Sequence, residues 1–482
     1  MESSPFSPSS LSVRDPLVSS PGSTVFDLPT EHTRTRTHRP SQLQLPGSAG
    51  TAGQSDVDSG PSCIVLSGGT GCNAICSAFG RACYVLPVSD DGGSSSEIIR
   101  VLGGPSIGDI RSRLVRLIPA AEKGSPLEAL RTLLAYRLPA DCSEQEARDE
   151  WRSIVEGRSL LWSGIPNDRK ETIRGFLVYF ESEVLRRAHK NFSFLNGSIG
   201  NCFLAAAQGF FRSLPSAIFL FASITNSQAH ILPVVVTNHT VTIAAELTDG
   251  SKLVGQCEIS HPVQRSLAFD DEESAHEDAY DDAISPTLAT TQNVRFQSQS
   301  KDEYEVLGAP INRLYYLNAY GHEIYPSPNP DYLSNLALNE VLVYSCGSLW
   351  TSIIPCLALR GVASAIARSP SLKAKVLFLN SKNDRETNGY TALDHINAIV
   401  RTLNAQYQPQ SYGLGNAATT FPISAFITHL VYLRGAHVEV DVQRITHLGV
   451  RCIEIASQAL GRDGVPVYDA ACARDALKKV LS

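Results

Sequence analysis

The sequence predicts an α/β fold built on an open, doubly wound, mainly parallel sheet, with a helical insert and a disordered N-terminal tail. Three observations predict it. Short apolar runs that read as buried strands alternate with helical patterns along most of the chain. The strands end repeatedly in loops rich in glycine, hydroxyls and carboxylates. Those loops then open helices, and an open parallel sheet places its ligands there, beyond the carboxyl ends of its strands.

Taken in order, residues 1–60 are rich in Ser, Pro, Thr and Gly without apolar periodicity, and read as a disordered tail. Residues 61–482 read as the α/β domain. It opens with the apolar run Cys63-Ile64-Val65-Leu66, the loop Ser67-Gly68-Gly69-Thr70-Gly71 and a small-residue helix pattern through Phe79. A second run from Cys83 to Val88 leads into Asp90-Asp91-Gly92-Gly93-Ser94-Ser95, and a third turn, Gly108-Asp109, closes into Ile110-Arg111. Residues 122–190 form a helical block, with Leu127, Leu130, Leu133 and Leu134 at helical spacing and Trp151 and Trp162 as packing residues.

Asn196-Gly197-Ser198-Ile199-Gly200-Asn201 then introduces an alanine-rich helix. Strands are predicted at 231–237 and 241–247, with Asp249-Gly250 as a hairpin turn. Residues 263–306 carry an acidic cluster and a Ser/Thr/Gln-rich stretch, and read as a disordered insertion in a loop. The fold resumes with strands at 311–317, 340–345, 376–380, 426–433 and 438–440, and a terminal helix from Ala470.

Composition narrows the function classes. With 43% hydrophobic and 18% charged residues the chain has the make-up of a soluble globular protein. A formal net charge of −7 argues against nucleic-acid binding through a broad basic surface. No apolar run approaches the ~18–20 residues that span a bilayer. The eleven cysteines lack paired C-x-x-C spacing, which argues against zinc and for free thiols in a reducing compartment. Neither a secretory h-region nor a clean basic amphipathic presequence is present, so a cytoplasmic protein is expected.

The chemistry is concentrated in the loops. Glycines 68, 69 and 71 let the backbone approach a ligand closely, and their N–H groups with the following turn suit a phosphate. The loop is neither a Walker A sequence nor a G-x-G-x-x-G fingerprint, and a plain tight turn stays open as its reading. Asp90 and Asp91 form a solvated turn or, beside a phosphate site, an anchor for Mg²⁺. Ser198 and Asn201 offer either helix capping or ligand contacts. Cys346 has no histidine near it in sequence and reads as an ordinary thiol rather than a nucleophile.

The ordered set of motifs resembles the CofD/gluconeogenesis-factor family from about residue 61 to residue 450. The set comprises Gly68-Gly69-Thr70-Gly71, Asp90-Asp91-Gly92-Gly93-Ser94-Ser95, Gly108-Asp109-Ile110-Arg111 and Gly200-Asn201. Gly347-Ser348-Leu349-Trp350-Thr351-Ser352, Asn380, Glu386-Thr387-Asn388-Gly389-Tyr390 and Asp394-His395 complete it. The resemblance implies a Rossmann-like fold with the ligand across the strand ends. One branch of the family consists of 2-phospho-L-lactate transferases, which use a guanylyl diphosphate donor, a deazaflavin precursor and Mg²⁺. The other consists of gluconeogenesis-factor proteins, nucleotide-sugar-binding regulators of carbon metabolism. The Asp-Asp-Gly-Gly-Ser-Ser and Gly-Ser-Leu-Trp-Thr-Ser forms lean towards the second branch, and Gly197 stands where bacterial members commonly carry His.

Carried over by position, the resemblance implies that Gly68, Gly69, Thr70 and Gly71 cradle phosphates. Asp90, Asp91 and Asp109 would hold Mg²⁺, with Asp90 or Asp91 as an alternative base. Gly92, Gly93, Ser94, Ser95, Arg111, Ser198, Gly200, Asn201, Gly347, Ser348, Thr351 and Asn380 would line the nucleotide or acceptor pocket. The expected partner is a nucleoside diphosphate-linked small molecule, with no nucleic acid and no membrane, and a homodimer is common in the family. Two functions follow. One is Mg²⁺-dependent transfer of a 2-phospholactyl-type group to an acceptor hydroxyl, and the alternative is a non-catalytic nucleotide-sugar-binding regulator.

Overall fold

Cys63–Leu66 (β1) and Cys83–Leu86 (β2) are buried along their whole length, as strands of a sheet covered on both faces must be. The structure, a computed structural model, describes residues 60–69, 71–261, 306–406 and 420–482. The predicted tail up to residue 59, Thr70 and the acidic insertion up to residue 305 lie outside the described residues. Downstream come β3 (His230–Pro233), β4 (Val241–Leu247), β5 (Lys252–Val254), β6 (Ile311–Asn318) and β7 (Glu323–Ile324). Then follow β8 (Val341–Tyr344), β9 (Ala374–Phe378), β10 (His429–Leu433) and β11 (Arg451–Ile455).

Seven of these form one sheet in the order β11-β10-β9-β8-β1-β2-β3, with every neighbouring pair parallel. The chain leaves β1 for β2 and β3 on one side, then returns through β8 to β11 on the other. The winding therefore reverses between β1 and β8, and the crevice beyond such a switch point is where ligands of open α/β sheets bind. This is the Rossmann-like arrangement. A separate antiparallel sheet, β5-β4-β6-β7, takes up the strand at 311–318, and Gly250 (φ 86°) turns its β4–β5 hairpin.

Helices α1 (Gly93–Leu102) and α2 (Gly108–Arg116) follow β2. The helical block contains α3 (Pro126–Ala135), α4 (Glu144–Val155) and α5 (Asn167–Arg186), and the alanine-rich helix is α6 (Ile199–Phe211). Serines cap the starts of α3 and α4, with a reciprocal Ser143–Glu146 capping box on the latter. Trp151 packs against Phe180 and Phe194, with ring centroids 5.6 and 5.0 Å away. Among the described residues no helix is long and apolar enough to cross a membrane.

The strand expected at 231–237 stops at Pro233 and the one at 426–433 begins at His429, and two further elements differ in kind. The helix after Gly71 is instead a pair of short 3-10 turns, Gly71–Ala74 and Cys76–Ala78, because Gly80 (φ 58°) ends the run before an α-helix can repay its nucleation. The segment 438–440 is not a strand. Val438 is buried, its neighbour His437 donates its N–H to the Ser381 carbonyl at 2.7 Å, and the parallel edge strand is β11.

Candidate functional site

The loop after β1 is fixed by close backbone approach. A Cβ at Gly69 would stand 2.4 Å from Asp109 Oδ1, and one at Gly71 would stand 2.7 Å from both the Cys346 carbonyl oxygen and Gly347 Cα. Only glycine lets these three loops meet. Beneath them, the fully buried Arg113 donates from Nη2 to the Gly68 carbonyl at 3.0 Å and to Ser67 Oγ at 3.2 Å, with its guanidinium 5.0 Å from the Tyr84 ring centroid. Ser112 Oγ donates to the Gly69 carbonyl at 3.2 Å. The glycine loop is thus braced from α2.

The β2 loop feeds a polar cavity of about 250 Å³ whose lining includes Asp90, Ser94, Ser95, Asp109, Arg111 and Arg137. Two helix N-termini, those of α1 and α2, adjoin it without a capping side chain. Asp90 Oδ1 accepts the Gly92 N–H at 3.0 Å, while burial and then the charge of Asp109 push its pKa well above the carboxylate range. Burial pushes Asp109 up to about 6, against an N–H from Gly69 and the Arg113 charge. Gly108 brings the two acids together, since a Cβ there would stand 2.9 Å from Asp90 Oδ2.

Opposite them runs a chain of neutral contacts. Arg111 Nε donates to Asn201 Oδ1 at 2.9 Å, and Asn201 Nδ2 donates to Ser94 Oγ at 2.7 Å. Arg137 Nη1 reaches the same Ser94 Oγ at 3.4 Å and the Asn196 carbonyl at 3.2 Å. Gly200 gives Arg111 its lane, because a Cβ there would meet the Leu134 carbonyl at 2.3 Å and the Arg111 side chain at 3.1 Å. Burial, and then Arg137, lower the Arg111 pKa to about 10.

At the switch point itself a larger cleft of about 580 Å³ opens between the loops after β1, β8 and β9. Gly71, Gly347, Ser348, Asn380, Lys382 and Arg462 are among its lining residues. Asn380 clamps Gly347 (φ 133°), accepting its N–H at 2.8 Å and donating to its carbonyl at 2.6 Å. The buried Glu386 takes Ser348 Oγ at 2.5 Å, the Trp350 N–H at 2.9 Å and Thr351 Oγ1 at 2.8 Å. It fills the anion-seeking start of the turn Leu349–Ile353. Burial, and then Asp384, raise its pKa to about 7. Burial also pushes the Cys346 thiol up to about 12, which leaves it a poor nucleophile, and all eleven cysteines are free.

The structure thus brings Asp90, Gly92, Gly93, Ser94, Ser95, Asp109, Arg111 and Asn201 to one cavity, and Gly71, Gly347, Ser348 and Asn380 to another. Gly68 and Gly69 lie between, against Ser352 and Asp109. Asp91 stands apart from its neighbour: it accepts the Cys257 N–H at 2.9 Å, capping the short helix Gln256–Ser260, and presses on Gly255 (φ 93°). Ser198 caps α6, and Thr351 is 1% exposed with its hydroxyl given to Glu386. Thr70 lies outside the described residues. Sequence reasoning gave Arg137 and Glu386 no role. Arg137 belongs to no motif and is placed by an antiparallel bridge to Ser198, whereas Glu386 opens the motif Glu386-Thr387-Asn388-Gly389-Tyr390.

The residues fit Mg²⁺. Asp90 and Asp109 offer hard oxygens on one cavity wall, and the mutual charge that raises Asp90 would be relieved by a cation. Among the described residues no cluster of three or more His, Cys, Asp or Glu side chains exists to hold a metal, so phosphate oxygens and water would complete the shell, as this ion prefers.

With that geometry in view, comparison with known proteins places the chain. Residues 63–457 match the family described as 2-phospho-L-lactate transferase CofD. A Saccharomyces cerevisiae protein, the uncharacterised YNL011C, is 37% identical over 433 residues, covering 82% of this chain and 95% of its own. A Clostridium acetobutylicum protein named as a candidate gluconeogenesis factor is 22% identical over 400 residues, covering 82% of this chain and 64% of its own. In fold, the chain is similar to the crystal structure of a UPF0052 family member from Bacillus halodurans, with a TM-score of 0.55 at 19% identity over 88% of this chain and 100% of that one. The chain belongs to the CofD family.

Proposed function

We propose that this chain is a CofD-type transferase that moves a phospho-linked group, of the 2-phospholactyl kind, from a nucleoside diphospho-linked donor to an acceptor hydroxyl. One observation carries the reading: the glycine loop lines one cavity and packs against a wall residue of the other. Gly71 lines the larger cleft, and Gly69 abuts Asp109 on the wall of the smaller cavity. The larger cleft, at about 580 Å³, has room for a nucleoside. The diphosphate would then lie along the Gly68–Gly71 backbone, with the transferred group towards Asp90 and Asp109.

In this reading Asp90 either holds Mg²⁺ or, in place of that role, accepts the proton of the acceptor hydroxyl. The hydroxyl oxygen forms a bond to the β-phosphorus, and the bond from that phosphorus to the nucleoside monophosphate breaks. Mg²⁺, which Asp109 and, where it is not the base, Asp90 would hold, would supply neutralisation of phosphate charge. Arg113, fixed under the loop, adds a permanent positive charge at no reorganisation cost. The cytosol, where free thiols persist, is the proposed compartment.

The second reading keeps the pocket and removes turnover: a nucleotide-sugar-binding regulator of carbon metabolism. The relative named as a candidate gluconeogenesis factor, matched over 82% of this chain, favours it. Incubation with a nucleoside diphospho-linked donor, Mg²⁺ and a hydroxyl acceptor separates the two. Release of nucleoside monophosphate that depends on acceptor and is lost in Asp90→Asn supports the transferase. Tight donor binding without release supports the regulator.

A further inference from the structure

Arg111 and Arg137 line one cavity of about 250 Å³, yet every hydrogen bond they make there goes to a neutral partner. No carboxylate forms an ion pair with either guanidinium among the described residues; Asp90 acts on Arg137 only across the cavity. Two guanidiniums that face one cavity repel, and here Arg111 is half-buried while Arg137 is exposed. The chain nevertheless commits the almost fully buried Asn201 to bridging Arg111 and Ser94, and Gly200 to making room for Arg111. Arg137, although exposed, reaches the same Ser94 hydroxyl that Asn201 ties to Arg111, and the terminal nitrogens of Arg111 have no partner among the described residues.

We infer that Arg111 and Arg137 form a subsite for an oxyanion, a phosphate or carboxylate group, borne by the ligand beyond its diphosphate. Paired guanidiniums match such groups in both charge and planar fork geometry. The uncapped N-termini of α1 and α2 add to the same potential. The subsite rests on the proposed function only for assigning that anion to the ligand whose diphosphate lies on the glycine loop. It also bears on the choice of donor: a nucleotide carrying a neutral sugar leaves the pair unfilled, whereas a donor or acceptor ending in an acid fills it.

The test uses the full chain, wild type and Arg137→Ala, with thermal unfolding at constant ionic strength. Inorganic phosphate and acetate are the probes, and GDP and UDP are run in parallel. Phosphate should stabilise the wild type, and Arg137→Ala should weaken its apparent affinity about tenfold or more. Acetate acting as strongly as phosphate would assign the subsite to a carboxylate; phosphate acting alone would assign it to a phosphate. Without any anion, Arg137→Ala should unfold at or above the wild-type temperature, because a like-charge contact is removed. A purely structural Arg137 gives the opposite pattern, a lowered midpoint with an unchanged anion response, and that result overturns the subsite. So does silence towards both anions. Failure of GDP and UDP to bind the wild type strikes the proposed function instead, and leaves the anion comparison readable on its own.

Discussion

The Glu386 carboxylate accepts the Thr351 hydroxyl at 2.8 Å, joining the loop after β9 to the turn after β8. The same carboxylate takes Ser348 and the Trp350 N–H, so a side chain occupies the helix-start position that a ligand phosphate would otherwise seek. In the proposed reading the diphosphate is therefore assigned to the glycine loop after β1. Thr351 is a positioning residue, and Ser348 reaches the larger cleft from a fixed base.

Glu386→Ala removes the acceptor of the buried Trp350 N–H and the shared acceptor of the Ser348 and Thr351 hydroxyls, and should cost about 2–3 kcal/mol in urea unfolding. Glu386→Gln keeps an acceptor for Ser348 and the backbone, and should cost clearly less. Equal losses in both variants would mean that the hydrogen bonds at this turn are not what holds it.

Adjacent acids should behave differently. Asp91→Ala removes the cap on Gln256–Ser260 and should cost about 1 kcal/mol of stability while leaving nucleotide affinity unchanged. Asp90→Asn should leave stability the same or raised, because it relieves repulsion with Asp109, and should abolish Mg²⁺-dependent binding. Calorimetric titration of both variants with a nucleoside diphosphate reads the contrast.

Gly71→Ala introduces a methyl against the Cys346 carbonyl and Gly347 Cα, both backbone atoms that cannot rotate away. The loops after β1 and β8 must separate, at about 1–3 kcal/mol, and the cleft they share deforms. Nucleotide binding should fall by a larger factor than stability alone explains, which comparing Kd with the unfolding midpoint would reveal.

Stability should decline as pH rises from about 4 to about 7. Asp109 titrates near about 6 and Glu386 near about 7 in the folded chain, against 3.8 and 4.5 ordinarily. Between those values the folded state holds more protons than the unfolded one, so the contribution is full below the ordinary pKa and is lost as pH passes the raised one. Each group adds a slope of up to about 1.4 kcal/mol per pH unit. Urea unfolding of wild type and Asp109→Asn measures it, and the variant should be flatter up to about pH 6.

Much of the site was legible because its residues sit in loops at strand ends, where chemistry and backbone geometry are written in the same few letters. Gly69, Gly71, Asp90, Asp109 and Asn201 were all read there. What escaped was set by long-range contact. Arg137 arrives through its bridge to Ser198, and Asp91 is drawn off by Cys257, a residue far along the chain. The edge strand β11 alternates visibly, yet the shorter apolar run at 438–440 competes with it on pattern alone. The second sheet needed the pairing of β4 with β6 across the acidic insertion, which no local period encodes.

The bridging of two cavities by one glycine loop is tested most directly by titrating wild type and Asp90→Asn with GDP and UDP, with and without Mg²⁺. The prediction is nucleotide binding that tightens with Mg²⁺ in the wild type and loses that tightening in the variant. At about 100 times its Kd the nucleotide should add about 2.7 kcal/mol of stability. Folded wild-type protein that responds to neither nucleotide, or an Asp90→Asn variant with unchanged Mg²⁺ dependence, would contradict it.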